Sequence, residues 1–449
     1  MRKALIFVAV GLILLGVAGL LLFPDVRSDI IGLLPFINRE PKSVTLKYWG
    51  LWEPRQVIQP LLDQYQKENP NVTIEYEQRD PGEYYQLIDA RLGVDGGPDI
   101  VRLHDSWVPA MRDRLAPVPK GVMDTATYES IFYPVNSIFL KQNDTYYAMP
   151  LMIDGLALVY NRNLFEQNGF TDPPKDWREF RQYAQALTKK NSSGQIVQSG
   201  AALGFANDIE YSSDILGLMM AQNGVQFESS AGKVTFQSTL SDIGQNLGVE
   251  ALQFYTLFAT SEQSWNPDWG NSTQEFASGR VAMVFLPSHR IQEVLNRQPS
   301  FSIGVAAVPQ LPDSSTSDNV AWANYWVESV SKNSANSEAA WEFVKWMAEK
   351  EQLSTFYRLA SDTRSFGEPY PRSDLAASLS DIYTLPYVSQ GPYYSTWYLN
   401  DGVKSASLND TINDSIKRMI ENVAGGAKAE TELQQAANEV QTVLDGVLK

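Results

Sequence analysis

The side chains with the strongest claim to chemistry are aromatic, amide and acidic, not nucleophilic. The 449-residue chain holds 11 Trp and 21 Tyr against 2 His and no Cys. Several aromatics cluster outside helical patterns: Trp265 and Trp269 around Asn266-Pro267-Asp268, Trp322, Tyr325 and Trp326 around Asn324, and Tyr393, Tyr394, Trp397 and Tyr398. Flat ring faces beside amides and carboxylates suit a polyhydroxylated solute, whose C–H faces stack while its hydroxyls exchange hydrogen bonds. For any single Trp, packing or interface filling competes with that role. Among the charged residues, Asp154 lies inside an apolar run, where a charge is costly unless paired or facing a wet cleft. Glu53, after Trp52, either faces a ligand or serves as a first-turn helix acid. Asp105 either contacts ligand or caps a helix starting at Ser106, and Arg364 either bonds ligand or seals an interface.

The missing residues narrow the chemistry further. Without Cys there is no disulfide, iron–sulfur, thiolate–zinc or cysteine-nucleophile chemistry. Only His104 and His289 are available, too few for a histidine-rich metal site, so neither metal nor cofactor is expected. No nucleophile elbow, Walker loop, dinucleotide fingerprint or His-Glu-x-x-His motif occurs. A formal charge of −16 argues against a nucleic-acid partner.

These residues need elements to position them. Alternation over 44–49 predicts a strand. Pro54 then opens a helix carrying Val57, Ile58, Leu61, Leu62 and Tyr65, ended by Asn69-Pro70. Val72, Ile74 and Tyr76 predict a second strand. Tyr84, Leu87, Ile88 and Leu92 predict a second helix, closed by Gly96-Gly97-Pro98, and 100–103 reads as a third strand. A βαβαβ opening implies a parallel sheet whose ligands sit outside the strands' carboxyl ends, at residues 50–53 and 104–107. Residues 151–160 are too long and apolar for an edge strand and read as a strand crossing from one lobe to another. Asp176 and Glu179 form a capping box before a helix with Trp177, Phe180, Ala184 and Leu187 on one face. Helices at 208–222 and 245–260, a hairpin of 225–227 with 234–236, and strands at 281–285 and 320–327 follow. The carboxyl end reads as helical, with Ile412, Ile416, Met419, Ile420 and Val423 in one stripe.

Arg2 and Lys3 precede an uncharged run from Ala4 to Phe23. Twenty helical residues span about 30 Å, the thickness of a bilayer core. The preceding positive charges put the amino terminus inside and the remainder outside. An uncleaved transmembrane anchor (1–23) followed by a proline-containing tether (24–42) is expected, with a cleaved signal peptide as the alternative.

The order of short motifs resembles the extracellular solute-binding proteins of ABC importers, family 1, the maltose- and oligosaccharide-binding type. The resemblance runs from about Val44 to Lys449. It rests on the opening strand 44–50, Lys67-Glu-Asn-Pro-Asn-Val72, Gly97-Pro-Asp-Ile-Val101, Leu115-Ala-Pro-Val118, Tyr147-Ala-Met-Pro-Leu151 and Leu158-Val-Tyr-Asn-Arg-Asn-Leu-Phe165. Further pieces are Pro173-Pro-Lys-Asp-Trp-Arg-Glu-Phe180, Phe276-Ala-Ser-Gly-Arg-Val-Ala-Met283, Gly304-Val-Ala-Ala-Val-Pro309, Ser337-Glu-Ala-Ala-Trp-Glu-Phe-Val344 and Arg364. It implies a two-lobed, type II periplasmic-binding-protein-like α/β fold, each lobe a mixed sheet flanked by helices, with the N-terminal transmembrane helix added. One lobe is expected to comprise 43–153 and 285–329, the other 154–284 and 330–449, with hinges near 153–158, 284–287 and 328–332. The family's lipid-bearing Cys is absent, and the hydrophobic anchor is the expected substitute.

The expected function is capture of a sugar or oligosaccharide between the lobes and its delivery to an ABC permease, by a non-enzymatic, membrane-anchored monomer with its bulk outside the cell. The expected ligand-binding residues are Trp52, Glu53, Asp105, Asp154, Trp265, Asn266, Trp322, Asn324, Trp326, Arg364 and Trp397. The alternatives are a glycan-binding sensor or adhesion module without transport, and a glycoside hydrolase using paired carboxylates such as Asp105 and Asp154.

Overall fold

The computed structural model describes residues 43–240, 244–405 and 408–448. The alternating opening segment forms the strand Val44–Gly50, which runs parallel to Val72–Gln78 in unbroken register from Val44↔Val72 to Gly50↔Gln78. Its other edge pairs with Ile100–His104, all five residues of which are buried. Trp326–Val330 then lies antiparallel to Ile100–His104, and Met149–Pro150 completes a five-stranded mixed sheet. The helix Arg55–Glu68 buries the predicted stripe Val57, Ile58, Leu61, Leu62 and Tyr65. Each such side chain contributes roughly 1.5–3 kcal/mol.

The second sheet is antiparallel, with Ala157–Asn161 between Met283–Leu286 and Ile303–Ala306. The central strand is buried throughout, which explains its unbroken apolar sequence. Helices Trp177–Leu187, Ser212–Gln222, Leu247–Thr260, Asn409–Ala424 and Ala429–Val447 supply much of this half. Asp176 caps the first of them through Glu179 N (2.8 Å), but the Glu179 carboxylate returns to Lys175 N (2.9 Å), one residue short of a capping box.

The crossings differ from the expected continuous strand. Met149–Pro150 and Ala157–Asn161 are separate strands, with 151–156 irregular between them. This segment lies beside the return crossing: Leu156 N donates to Trp322 O (2.9 Å), and Asn324 N donates to Asp154 O (3.0 Å). Gly155 permits the approach, since a Cβ there would meet the Trp322 carbonyl oxygen at 2.1 Å. A third passage adds Ile153 N to Pro369 O (3.0 Å).

Strand pairing redraws the expected lobe boundaries. Ile303–Ala306 belongs to the second sheet, so the return crossing lies between 307 and 325. Helices Ser337–Met347 and Lys350–Ser361 pack on the first sheet and its helix Arg55–Glu68, which assigns 337–361 to the first half. Residues 284–287 and 328–332 therefore lie at strand ends within single halves, not at crossings. The expected strand at 320–327 is two, Ala321–Trp322 and Trp326–Val330. Of the hairpin over 225–236, the bridge Glu228↔Val234 forms. The expected anchor and tether, 1–42, lie outside the described residues. Among the described residues no helix is long and apolar enough to cross a membrane.

Candidate functional site

The carboxyl ends of the first sheet's parallel strands meet the second half across a cleft of about 760 Å³. That volume falls in the roughly 300–1,000 Å³ range of small-molecule sites. Trp52 and Trp326 line it from the first sheet, and Met152, Asp154 and Asn324 from the paired crossings. The second half supplies Tyr211, His289, Arg290, Asp401, Asn413 and Lys417, and the third passage supplies Arg364 and Glu368.

The aromatic corner is rigid on one side and open on the other. Trp52 meets Trp326 edge-on, with centroids 4.6 Å apart at 78°. Trp326 is braced by Trp107 (5.1 Å) and His104 (5.2 Å), both buried. Trp52 keeps 44% of its surface exposed, leaving indole surface free to stack on a guest.

Polar groups on the other walls are held in defined orientations. Asp154 accepts from Gly155 N (2.8 Å), Ser288 N (2.9 Å) and Ser288 Oγ (2.9 Å). Ser288 begins the helix Ser288–Asn296, so the helix terminus compensates the buried carboxylate. His289 Nδ1 lies 3.4 Å from the same carboxylate, and its Nε2 lies 3.2 Å from the Tyr211 hydroxyl. Arg364 Nε donates to Phe366 O (2.8 Å), and its guanidinium pairs with Glu368. Burial opposes the charge of Arg364, but the Glu368 carboxylate outweighs it and raises the pKa. Glu210 pairs with Arg290, and Asp401 with Lys417 (2.9 Å).

Five of the eleven expected residues line this cleft: Trp52, Asp154, Asn324, Trp326 and Arg364. The other six are placed elsewhere. Glu53 is buried against Arg102, whose guanidinium also pairs with Glu328 (2.7 Å). A buried arginine demands such carboxylates, and that demand claims Glu53. Asp105 is fully buried, accepting from Thr396 Oγ1 (3.0 Å), and burial pushes its pKa up to about 8. The carboxylate pair Asp105 and Asp154 of the hydrolase alternative therefore does not meet in the cleft. Trp322 is buried beside Gly217 and donates to Leu399 O (3.1 Å). Trp397 is buried against Phe227 and Phe236. Trp265 is 1% exposed and packs on Trp269, while Asn266 Nδ2 donates to Ile196 O (3.2 Å). Trp265, Asn266 and Trp269 border a separate depression of about 470 Å³.

Sequence reasoning missed Tyr211, His289, Arg290, Asp401, Asn413 and Lys417. Tyr211 adopts a left-handed backbone (φ 61°) immediately before its helix, and nothing in its residue type announces that. Ser288-His289-Arg290 opens a helix after a buried strand, which was the readable signal. Among the described residues no group of three or more His, Asp or Glu converges to hold a metal ion.

A family model for bacterial extracellular solute-binding protein matches residues 52–353. The chain belongs to this family. Over 302 residues this solute-binding protein is 22% identical to a binding protein of Brucella abortus (strain 2308), spanning 65% of this chain and 68% of the relative. Over 310 residues it is 20% identical to the maltotriose-binding protein of Pyrococcus abyssi (strain GE5 / Orsay), spanning 66% of this chain and 61% of that protein. Its fold is similar to the crystal structure of cyclic alpha-maltosyl-1,6-maltose binding protein from Arthrobacter globiformis, with a TM-score of 0.72 at 20% identity, over 90% of this chain and 99% of that one. At such identities the structural likeness establishes the mixed α/β fold, and the occupant of the cleft has to be argued from its residues.

Proposed function

We propose that this solute-binding protein captures a sugar or oligosaccharide in the cleft and passes it to the permease of an ABC importer. In this reading it acts as a monomer without chemistry of its own, outside the membrane and retained there by the N-terminal helix. The supporting observation is the exposed Trp52 ring, fixed against Trp326 in the same cleft that Asp154, Arg364 and Asn324 line. A stacking face in one cleft with fixed acceptors and donors matches a pyranose, which offers C–H surface on one side and hydroxyls around its edge. The names of the maltotriose- and cyclic maltosyl-maltose-binding relatives support the same class. Calorimetric titration of a chain beginning at residue 43 with mono- and oligosaccharides tests the reading. Saturable binding that Trp52→Ala weakens is expected. No heat with any carbohydrate, alongside a heat with a non-sugar solute, would overturn it. A glycan sensor is separated from an importer subunit by whether a permease co-purifies with the full chain.

A further inference from the structure

Asn324 is the only cleft-lining amide among the described residues with a hydrogen-bond partner from each half of the molecule. Its Oδ1 lies 2.9 Å from His104 Nε2, at the end of a first-sheet strand. Its Nδ2 lies 2.7 Å from Asp214 Oδ1, in the second-half helix Ser212–Gln222. His104 and Asp214 are fully buried and outside the cleft lining. Such a chain could run in either direction, because amides can be turned and imidazoles have two neutral tautomers. Here a backbone amide fixes the His104 end, and the direction of the rest follows from it. Ser106 N–H lies 3.3 Å from His104 Nδ1 and can only donate to it, and Ser106 Oγ, which accepts from Asn409 Nδ2 (3.2 Å) and so has its own proton to give, lies 2.8 Å from the same nitrogen, so that nitrogen is bare. Asp401 N–H donates to Asp214 Oδ2 (2.6 Å), so that oxygen accepts. A backbone N–H cannot accept. The imidazole proton therefore sits on Nε2 and points at Asn324 Oδ1, and Asn324 Nδ2 points at Asp214.

We propose that His104 and Asp214 are positioning residues that hold the Asn324 amide in a single orientation in the cleft wall, through a relay running from Ser106 through His104 and Asn324 to Asp214, where Asp401 N–H closes it. The role in solute capture rests on the cleft being the binding site. The relay joins the two halves at their crossings and positions two lining residues, Asn324 and Asp401, from behind. Burial keeps the imidazole neutral, with its pKa pushed down to about 3. With Nδ1 bare, the 3.0 Å contact to Asp105 Oδ1 needs a proton on that carboxyl, the form its own burial favours.

The chain has 2 His, so ¹⁵N-histidine labelling gives two rings, and the H104Q spectrum identifies His104. The wild-type protein is expected to show His104 as the Nε2–H tautomer. In Asp214→Asn, the new amide must keep its oxygen toward Asp401 N–H and present its nitrogen to Asn324. The 214 amide and the Ser106 N–H at His104 then demand opposite orientations of Asn324, so one of its two bonds breaks and its side-chain amide signals move in uniformly ¹⁵N-labelled protein. The double variant D214N/N324D gives both neighbours an acceptor again and is expected to show His104 as the Nε2–H tautomer. Maltotriose affinity is expected to fall about tenfold in Asp214→Asn, the scale of one misplaced hydrogen bond. A wild-type His104 on Nδ1–H, or doubly protonated at neutral pH, overturns the relay even if no variant folds. Asn324 side-chain amide signals and maltotriose affinity both unchanged in Asp214→Asn overturn it as well. Wild-type protein silent to maltotriose and every other sugar sinks the carbohydrate reading instead, while the tautomer result still decides the relay.

Discussion

Trp52 and Trp265 show how one residue type divides between two tasks. Both sit in loops beside polar residues, and the sequence marks them equally. Trp52 retains 44% of its surface and Trp265 1%. Trp52→Ala is expected to weaken carbohydrate binding at least tenfold, about 1.4 kcal/mol or more, with little change in unfolding free energy. Trp265→Ala is expected to do the reverse: about 3–5 kcal/mol lost from stability by denaturant unfolding, and affinity retained in the protein that remains folded. If calorimetry finds the two variants equally impaired in binding, the Trp52 corner is not the platform. The same division separates Asp154 from Glu53. Both are acids near strand ends, but a fully buried Arg102 must be neutralised, and Glu53 and Glu328 do so. A partner 49 residues away in the chain (Arg102 less Glu53) leaves no local trace, so Glu53 could not be read as structural from its neighbours.

At the scale of elements, the turn His104–Trp107 was expected to face ligand and instead forms a buried seam. Trp107 Nε1 donates to Asn409 Oδ1 (2.8 Å), Asn409 Nδ2 to Ser106 Oγ (3.2 Å), and Thr396 Oγ1 to Asp105 Oδ2 (3.0 Å). The strand end was legible because alternation and glycine punctuation are local. What lies over it was not, because Thr396 and Asn409 come from elements some 300 residues later. The first sheet's three parallel strands and most of the longer helices followed from local periodicity, whereas the strands Met149–Pro150 and Ile303–Ala306 and the helix Ser288–Asn296 were not read from it. The crossings did not, because 151–156 has the composition of a strand and gains its irregular shape from contacts with 322–324 and Pro369. The seam has a pH signature. The Asp105 pKa stands at about 8 in the folded protein against 3.8 for the ordinary group, because burial disfavours its anion. Below pH 4 both states hold the proton. Between pH 4 and 8 only the folded state does, so this residue's contribution to stability falls by about 1.4 kcal/mol per pH unit and levels off above 8. Asp105→Asn removes that slope. The stability difference between variant and wild type is expected to move in the variant's favour as pH rises through this window. A difference that stays flat, measured by urea unfolding at pH 5, 6, 7 and 8, would mean that Asp105 is not held protonated.

For the whole molecule, the arrangement of three crossings decides what binding can change. The two halves meet through 151–156, the segment between 307 and 325, and the passage around Pro369, and these pack on one another on the cleft's crossing side. Rotation about such adjacent strands would alter the gap between Trp52 and the Tyr211–Arg290 wall while leaving both sheets intact. The first sheet brings Trp52 and Trp326 to the gap and the second half most of its charged groups, so a solute touching both would be worth more to a closed arrangement than to an open one. Only such a differential affinity can drive a closure. Saturating maltotriose is therefore expected to reduce the radius of gyration in X-ray scattering of the chain from residue 43. It is also expected to stabilise that chain by about 2.7 kcal/mol at a hundredfold excess over Kd. Trp52→Ala should need proportionally more ligand for the same compaction, because it lowers affinity without touching the crossings. Substituting Gly155 with Ala should act differently: the added Cβ meets the Trp322 carbonyl, so the crossings must shift and the unliganded radius itself should change. If ligand stabilises the protein but leaves the radius fixed, the cleft binds its guest as a preformed pocket, and the crossings are struts rather than hinges.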